Sequence, residues 1–211
     1  MSNYLCKSWQ GLIQMSVYLV SRGYYWYCLT EYPEKKRDSW AKIDQKLIEK
    51  YDADKSKFQR ARQKQKYGMA NFYFLRWESV SVIFHSKGKF SEKVTYNDTF
   101  YDIRKKPLKI TISDNIEMVI YEENETTSVR LSRESYRGFK ACLIDVCKLK
   151  EQKEIIKEFN KINGLPAWRG IIEQKQLLAS FTVREARKHQ VWLRKEALRI
   201  KTQRTPVKVF A

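Results

Sequence analysis

Tyr24–Thr30 (YYWYCLT) places four aromatic rings, a leucine and a β-branched residue in seven positions, and Pro33 closes the run. A short apolar run bounded by a breaker reads as a strand rather than a helix. A strand so rich in rings cannot leave both faces in water. The chain must therefore build a sheet and cover at least one side of it. Alternation puts Tyr24 and Trp26 on one face and Tyr25 and Tyr27 on the other. With 211 residues, 43% of them hydrophobic, there is enough apolar material for one domain of ordinary size.

The rest of the first 131 residues carries a similar signature. Regular structure is expected to begin just after Met15, and Val17–Thr30 is β-branched and aromatic, with Gly23 marking a turn or a bulge. Asn71–Phe84 reads as a strand pair with a kink near Arg76–Ser79. Phe90–Tyr96, Tyr101–Ile103, Leu108–Ile112, Ile116–Tyr121 and Ser128–Leu131 follow as short strands between Gly, Pro, Asn and Asp turns. An early helical insertion interrupts them. Asp38 or Ser39 can cap a helix whose Trp40, Ile43, Leu47, Ile48 and Tyr51 form one stripe.

After Leu131 the period changes. Ser132 can cap a helix bearing Tyr136, Phe139, Leu143, Val146 and Cys147, and a second bears Ile155, Ile156, Phe159 and Ile162. Beyond the breaker Gly164-Leu165-Pro166, a helical pattern runs from Ile171 to about Ile200, with His189 as its weak point. The expected fold class is α+β: a mainly antiparallel sheet with an early helical insertion and a C-terminal helical part. Residues 1–131 are expected to make a strand-rich region and residues 132–211 a helical region packed on it as one compact unit.

Forty-two Lys and Arg face 24 Asp and Glu, a formal net charge of +18. Such an excess opposes compaction by self-repulsion unless a polyanion accompanies the chain. No apolar run is long enough to span a bilayer. Aromatic rings beside this many cations suit unpaired nucleic acid, because rings stack on bases while Lys and Arg neutralise phosphates. The rings favour RNA slightly over single-stranded DNA.

The charge is concentrated. Lys55, Lys57, Arg60, Arg62, Lys64 and Lys66 lie in KSKFQRARQKQK, which contains no acid. As a helix, this segment sets Lys57, Arg60 and Lys64 in one ridge and Arg62 and Lys66 in another. Arg184, Lys188, Lys195 and Arg199 recur at nearly helical spacing, and Arg187, Arg194, Lys201, Arg204 and Lys208 extend the field. Phosphate contact is expected from both segments. Tyr25 and Tyr27, joined by Tyr73 or Trp77, are the candidate stacking platform.

YWYCLTEYP followed by a helix and further strands resembles the opening of rolling-circle replication initiators. Those begin with an F-x-L-T-like strand on a ferredoxin-like sheet and cleave DNA with a Tyr beside a metal held by an H-x-H pair. Here His85 in VIFHSKGKF has no second His beside it, so the resemblance implies the scaffold only. It spans about a dozen residues. E-x-K strings at Glu34, Glu151 and Glu173 match a metal-nuclease pattern by the sheer abundance of lysine, and His85 with Tyr73 is the remaining pair for metal-free RNA cleavage.

Cys6, Cys28, Cys142 and Cys147 form no C-x-x-C pair, and Cys28 and Cys142 read as buried small hydrophobes. The expected compartment is cytoplasmic or an equivalent reducing one. No cofactor, metal ligand or catalytic residue is assigned. The expected function is non-catalytic nucleic-acid binding within a mobile-element, replication or defence-related nucleoprotein complex, with other proteins of that complex as further partners. The alternatives are a nuclease or strand-transferase, and a structural subunit of a larger ribonucleoprotein.

Overall fold

The computed structural model describes residues 4–203 and 205–210, so Arg204 of the basic C-terminal series lies outside the described residues. The fold is α+β, with six α-helices and seven antiparallel strands in two sheets among those residues. The chain divides into two compact units. The first holds residues up to Leu108, Ile120–Thr127 and the stretch from Val207, and the second holds Lys109–Val119 and Ser128–Pro206. These bounds run through the last three strands, whereas the boundary at Leu131 divides the chain by element type.

In the first unit, helix α1 (Trp9–Ser21) starts at Ser8, whose hydroxyl accepts from the Gly11 N–H at 3.2 Å. It buries Leu12, Ile13, Val17, Leu19 and Val20. Val17–Ser21 is therefore helical rather than strand-like, and regular structure begins well before Met15. The three- and four-residue spacing of the apolar positions outweighs their β-branching, which costs a helix only tenths of a kcal/mol. Gly23, at φ +88, makes the turn into β1 (Trp26–Glu31).

A 3-10 turn then leads into α2 (Trp40–Lys50), and α3 (Lys57–Tyr67) follows. Next come β2 (Phe72–Trp77) and β3 (Val80–His85), a hairpin turning at Glu78-Ser79, and the two-residue β4 (Tyr101–Asp102). The sheet order is β2-β3-β1-β4, each neighbour antiparallel. With β3 between them, β1 and β2 run parallel, joined by a crossover containing α2 and α3. This is a split βαβ arrangement, and residues 86–100 form no helix before β4. Phe90–Tyr96 is a loop and not the expected strand. Its Phe90 and Tyr96 rings stack on each other, with Tyr96 also stacked on Phe100.

Register assigns the faces. Tyr73, Phe84, Tyr27 and Tyr101 form one row across the sheet, and Phe72, His85, Trp26 and Asp102 the next, on the opposite face. On the latter face Phe72, Phe74 and Ile83 pack with Ile48 and Tyr51 of the α2 end. On the other, α1 packs against β2, and Leu75, Val82 and Phe84 are wholly buried. The outer edge of β2 is paired at Arg76 by the Tyr4–Cys6 backbone, which leaves less of it open to foreign strands.

β5 (Leu108–Ser113), β6 (Ile116–Glu123) and β7 (Thr126–Leu131) form the other sheet, in that order. In the second unit, α4 (Arg133–Lys148) packs against α5 (Gln152–Lys161) and α6 (Arg169–Lys188) around buried Leu143, Cys147, Ile155, Phe159 and Leu178. The Gln174 side chain brackets Leu131, accepting from its N–H at 2.7 Å and donating to its carbonyl at 3.1 Å. The α6 helix stops at Lys188 and not near Ile200. Gln190 takes a left-handed φ of +63, and beyond it Val191 and Leu193 are buried while Trp192 and Arg194 are exposed, a two-residue period of extended chain. The four thiols are free; Cys28 is half-buried and Cys142 exposed, contrary to their expected burial.

Candidate nucleic-acid interface

The basic run folds into α3, a helix in which no residue is buried. Its ends hold it instead. Ser56 accepts from the Gln59 N–H at 3.2 Å while Gln59 accepts from the Ser56 N–H at 2.7 Å, and Gly68, at φ +63, closes the last turn. This reciprocal cap satisfies two orphan donors. Arg60 adds a strap, donating to the Ala53 carbonyl at 2.7 Å, and its own carbonyl accepts from Asn71 Nδ2 at 3.0 Å. A helix anchored by caps rather than a core leaves almost its whole surface available.

Two depressions flank this helix. The first, about 630 Å³, lies at its N-terminal end and is lined by Lys55, Lys57, Arg60, Tyr4, Tyr73 and Phe74, with Asp54 the only carboxylate on its wall. The Arg60 guanidinium lies over the Tyr73 ring at 4.4 Å, and its buried Nε has no hydrogen-bond partner. Lys55 is engaged by Asp52 at 2.5 Å. The second depression, about 680 Å³, lies at the C-terminal end and is lined by Tyr25, Trp26, Lys64, Lys87, Arg104 and three glycines, without any carboxylate.

The second site is assembled by β register. Trp26 pairs with His85 on one side and Asp102 on the other. Lys87 and Arg104 each lie two residues beyond those partners, so both cations arrive beside the same ring. Arg104 is fixed by two bonds to Asp102, Nε–Oδ1 2.9 Å and Nη2–Oδ2 2.6 Å, and the guanidinium holds the Asp102 carboxyl below its usual range. It lies over Tyr25 at 4.3 Å and Trp26 at 5.5 Å. The inner side of Trp26 stacks on His85, centroids 5.1 Å apart and planes within 8°.

Gly88 forms part of the wall because nothing larger fits. At φ +155, a Cβ there would come within 2.3 Å of the Ala70 backbone nitrogen. Gly88→Ala is expected to cost about 1–3 kcal/mol, read as a lowered urea midpoint with an unchanged slope.

The ridge expected from sequence therefore divides: Lys57 and Arg60 line the first depression and Lys64 the second. Arg62 and Lys66 are exposed on α3 but line neither. Tyr25 and Tyr73 each line one depression, both half-buried. Tyr27 is a correction. It is 4% exposed, its hydroxyl donates to the Lys106 and Pro107 carbonyls at 3.1 Å, and burial pushes its phenol up to about 12. It offers no face to a base. Trp77 shares that sheet face, at the far end of β2. Arg184, Arg187 and Lys188 are exposed on α6, with Lys188 paired to Glu185 at 2.8 Å. Arg194, Lys195 and Arg199 are exposed on the irregular chain after it, so the continuous basic helical stripe does not form.

Trp26, Lys87 and Arg104 escaped sequence reasoning because they converge from three separate strands and loops. Phe58, 85% exposed within the basic run, was visible as an aromatic whose neighbours at helical spacing are Asp54, Lys55, Ala61 and Arg62, none of them a large apolar residue.

His85 is a core residue. It is 5% exposed, ringed by Trp26, Phe72, Phe90, Tyr96 and Phe100 at 4.9–5.8 Å. Burial holds its pKa down. The neutral ring donates from Nδ1 to the Ser86 carbonyl at 3.0 Å and accepts at Nε2 from the Tyr96 hydroxyl at 3.4 Å. Tyr73 lies on the other face of the sheet, so the pairing considered for RNA cleavage is not assembled. Among the described residues, no three His, Cys, Asp or Glu side chains gather as a metal-binding group, and no helix is long and apolar enough to cross a membrane. Comparison with known proteins finds no matching family model, curated protein or solved structure.

Proposed function

We propose that this chain is a non-catalytic binding protein for unpaired nucleic acid, RNA or single-stranded DNA with RNA slightly favoured, and that it works within a nucleoprotein complex in a reducing compartment. The observation that carries this reading is the second depression: two aromatic rings and three cations, with no carboxylate on its wall. A base needs a flat apolar face and its phosphate needs cations. Each stacked base contributes about 1–3 kcal/mol, and each neutralised phosphate releases counterions. The exposed ring of Phe58 among the α3 cations supports the same reading, since the fold derives nothing from it.

Fluorescence anisotropy with a labelled single-stranded RNA across a salt series tests this. Each phosphate contact contributes a slope of about −0.7 in log affinity against log salt. Lys64→Glu/Lys87→Glu removes two exposed cations and is expected to flatten the slope by about 1.4. Phe58→Ala is expected to leave Tm unchanged and weaken binding by about 1–3 kcal/mol. Salt-independent affinity, or none for any polynucleotide, overturns the reading. Cleavage that requires a divalent metal would replace it with the nuclease alternative.

A further inference from the structure

The two depressions meet α3 one turn apart, with Tyr73 and Trp26 reaching them from opposite faces of the sheet. Arg60 lines one and Lys64 the other. Residues four apart in a helix are neighbours on one face, with Cβ atoms about 5–6 Å apart. That separation is of the order of the step between phosphates in an extended strand. The rings are continuous as well: Tyr73 in the first depression meets Tyr24 edge-on at 6.5 Å, and Tyr24 sits between Gly23 and Tyr25, which both line the second. Each volume, about 630 and 680 Å³, is within the range of a small-molecule pocket, room for one nucleotide.

We infer that the two depressions together form one two-nucleotide site, in which neighbouring nucleotides of a single unpaired strand place their bases against Tyr73 and against Tyr25–Trp26. Arg60 and Lys64 then face the phosphates joining them. The inference rests on the nucleic-acid reading and narrows it to an unpaired strand. A stacked duplex cannot turn successive bases into separate depressions without giving up its pairing.

The test uses the full chain and a uridine hexamer with two adjacent 4-thiouridines. After irradiation and digestion, one RNA is expected to join two peptides, one containing Tyr73 and the other Tyr25–Trp26. Alongside, the dinucleotide pUpU is expected to bind about tenfold or more tightly than uridine monophosphate, by the effective concentration of a tethered second group. Lys64→Glu, on an exposed position, is expected to close most of that gap. Adducts at one depression only, adducts elsewhere, binding of the hexamer without adducts, or equal affinity for mono- and dinucleotide each overturn the two-nucleotide site while leaving the general reading intact. Failure of the hexamer and longer strands to bind at any salt removes the general reading itself.

Discussion

Asp44→Ala is expected to destabilise the first unit by about 3–5 kcal/mol, the cost of stranding a buried charge. Asp44 is fully buried on α2 and meets Arg76 Nε of β2 at 2.8 Å. The Tyr32 hydroxyl donates to its other oxygen at 3.0 Å, and Arg76 donates from Nη1 to the Glu78 carbonyl at 2.8 Å. The guanidinium also lies 5.5 Å from the Trp40 ring. Removing the carboxylate leaves Arg76, only 10% exposed at its side chain, without its counter-charge. Burial raises the Asp44 carboxyl above its usual range despite the arginine, which means that desolvation outweighs the pairing. Asp44→Leu/Arg76→Met should therefore lose less than the single Asp44→Ala, because the well-packed apolar pair carries no desolvation cost. Urea unfolding of the three proteins decides it. A double variant less stable than the single one would show that the ion pair is itself a net source of stability.

Lys175→Met is expected to stabilise the chain by about 2 kcal/mol at pH 7, with the gain turning into a loss of about 1 kcal/mol in alkali. Lys175 lies on α6 with no exposed surface, and its ammonium donates to the Leu165 carbonyl at 3.0 Å. Burial, with Lys201 nearby, lowers its pKa from an ordinary 10.5 to about 8. The sign follows from proton counting. Below about pH 8 both folded and unfolded chains hold this proton, and the folded one bears the whole cost of a buried charge, about 3 kcal/mol. Between about 8 and 10.5 the unfolded chain holds it more tightly, so the wild type gains stability as the pH rises. Methionine removes that cost but strands the Leu165 carbonyl, which returns about 1 kcal/mol. Denaturation midpoints of both proteins at several pH values from 7 to 11 measure the difference. A gap that stays constant with pH would mean that Lys175 titrates normally.

The α3 half of the candidate site was readable because its signals are local. Six cations without an acid stand out in the sequence, and spacing alone groups Lys57, Arg60 and Lys64 on one face. The other half was not, because Lys87 and Arg104 reach Trp26 only through the pairing of β3 and β4 with β1. The same limit explains α1. Its β-branched residues look like strand until their three- and four-residue spacing is weighed against the sheet they cover. It also explains the end of α6, where Arg194, Lys195 and Arg199 keep a helical rhythm in sequence but follow a left-handed Gln190.

By itself the sequence determined the α+β class, the excess of cations and the presence of a ring-rich strand at its centre, since composition and short-range period are local properties of a chain. Only the tertiary structure decided which rings remain at the surface. Alternation treats Tyr25 and Tyr27 alike. Yet Tyr27 is enclosed with its hydroxyl on two carbonyls, while Tyr25 lies at the mouth of a depression beneath Arg104. Burial depends on what the opposite strands and loops bring to each face, and that is set by contacts between residues far apart in sequence.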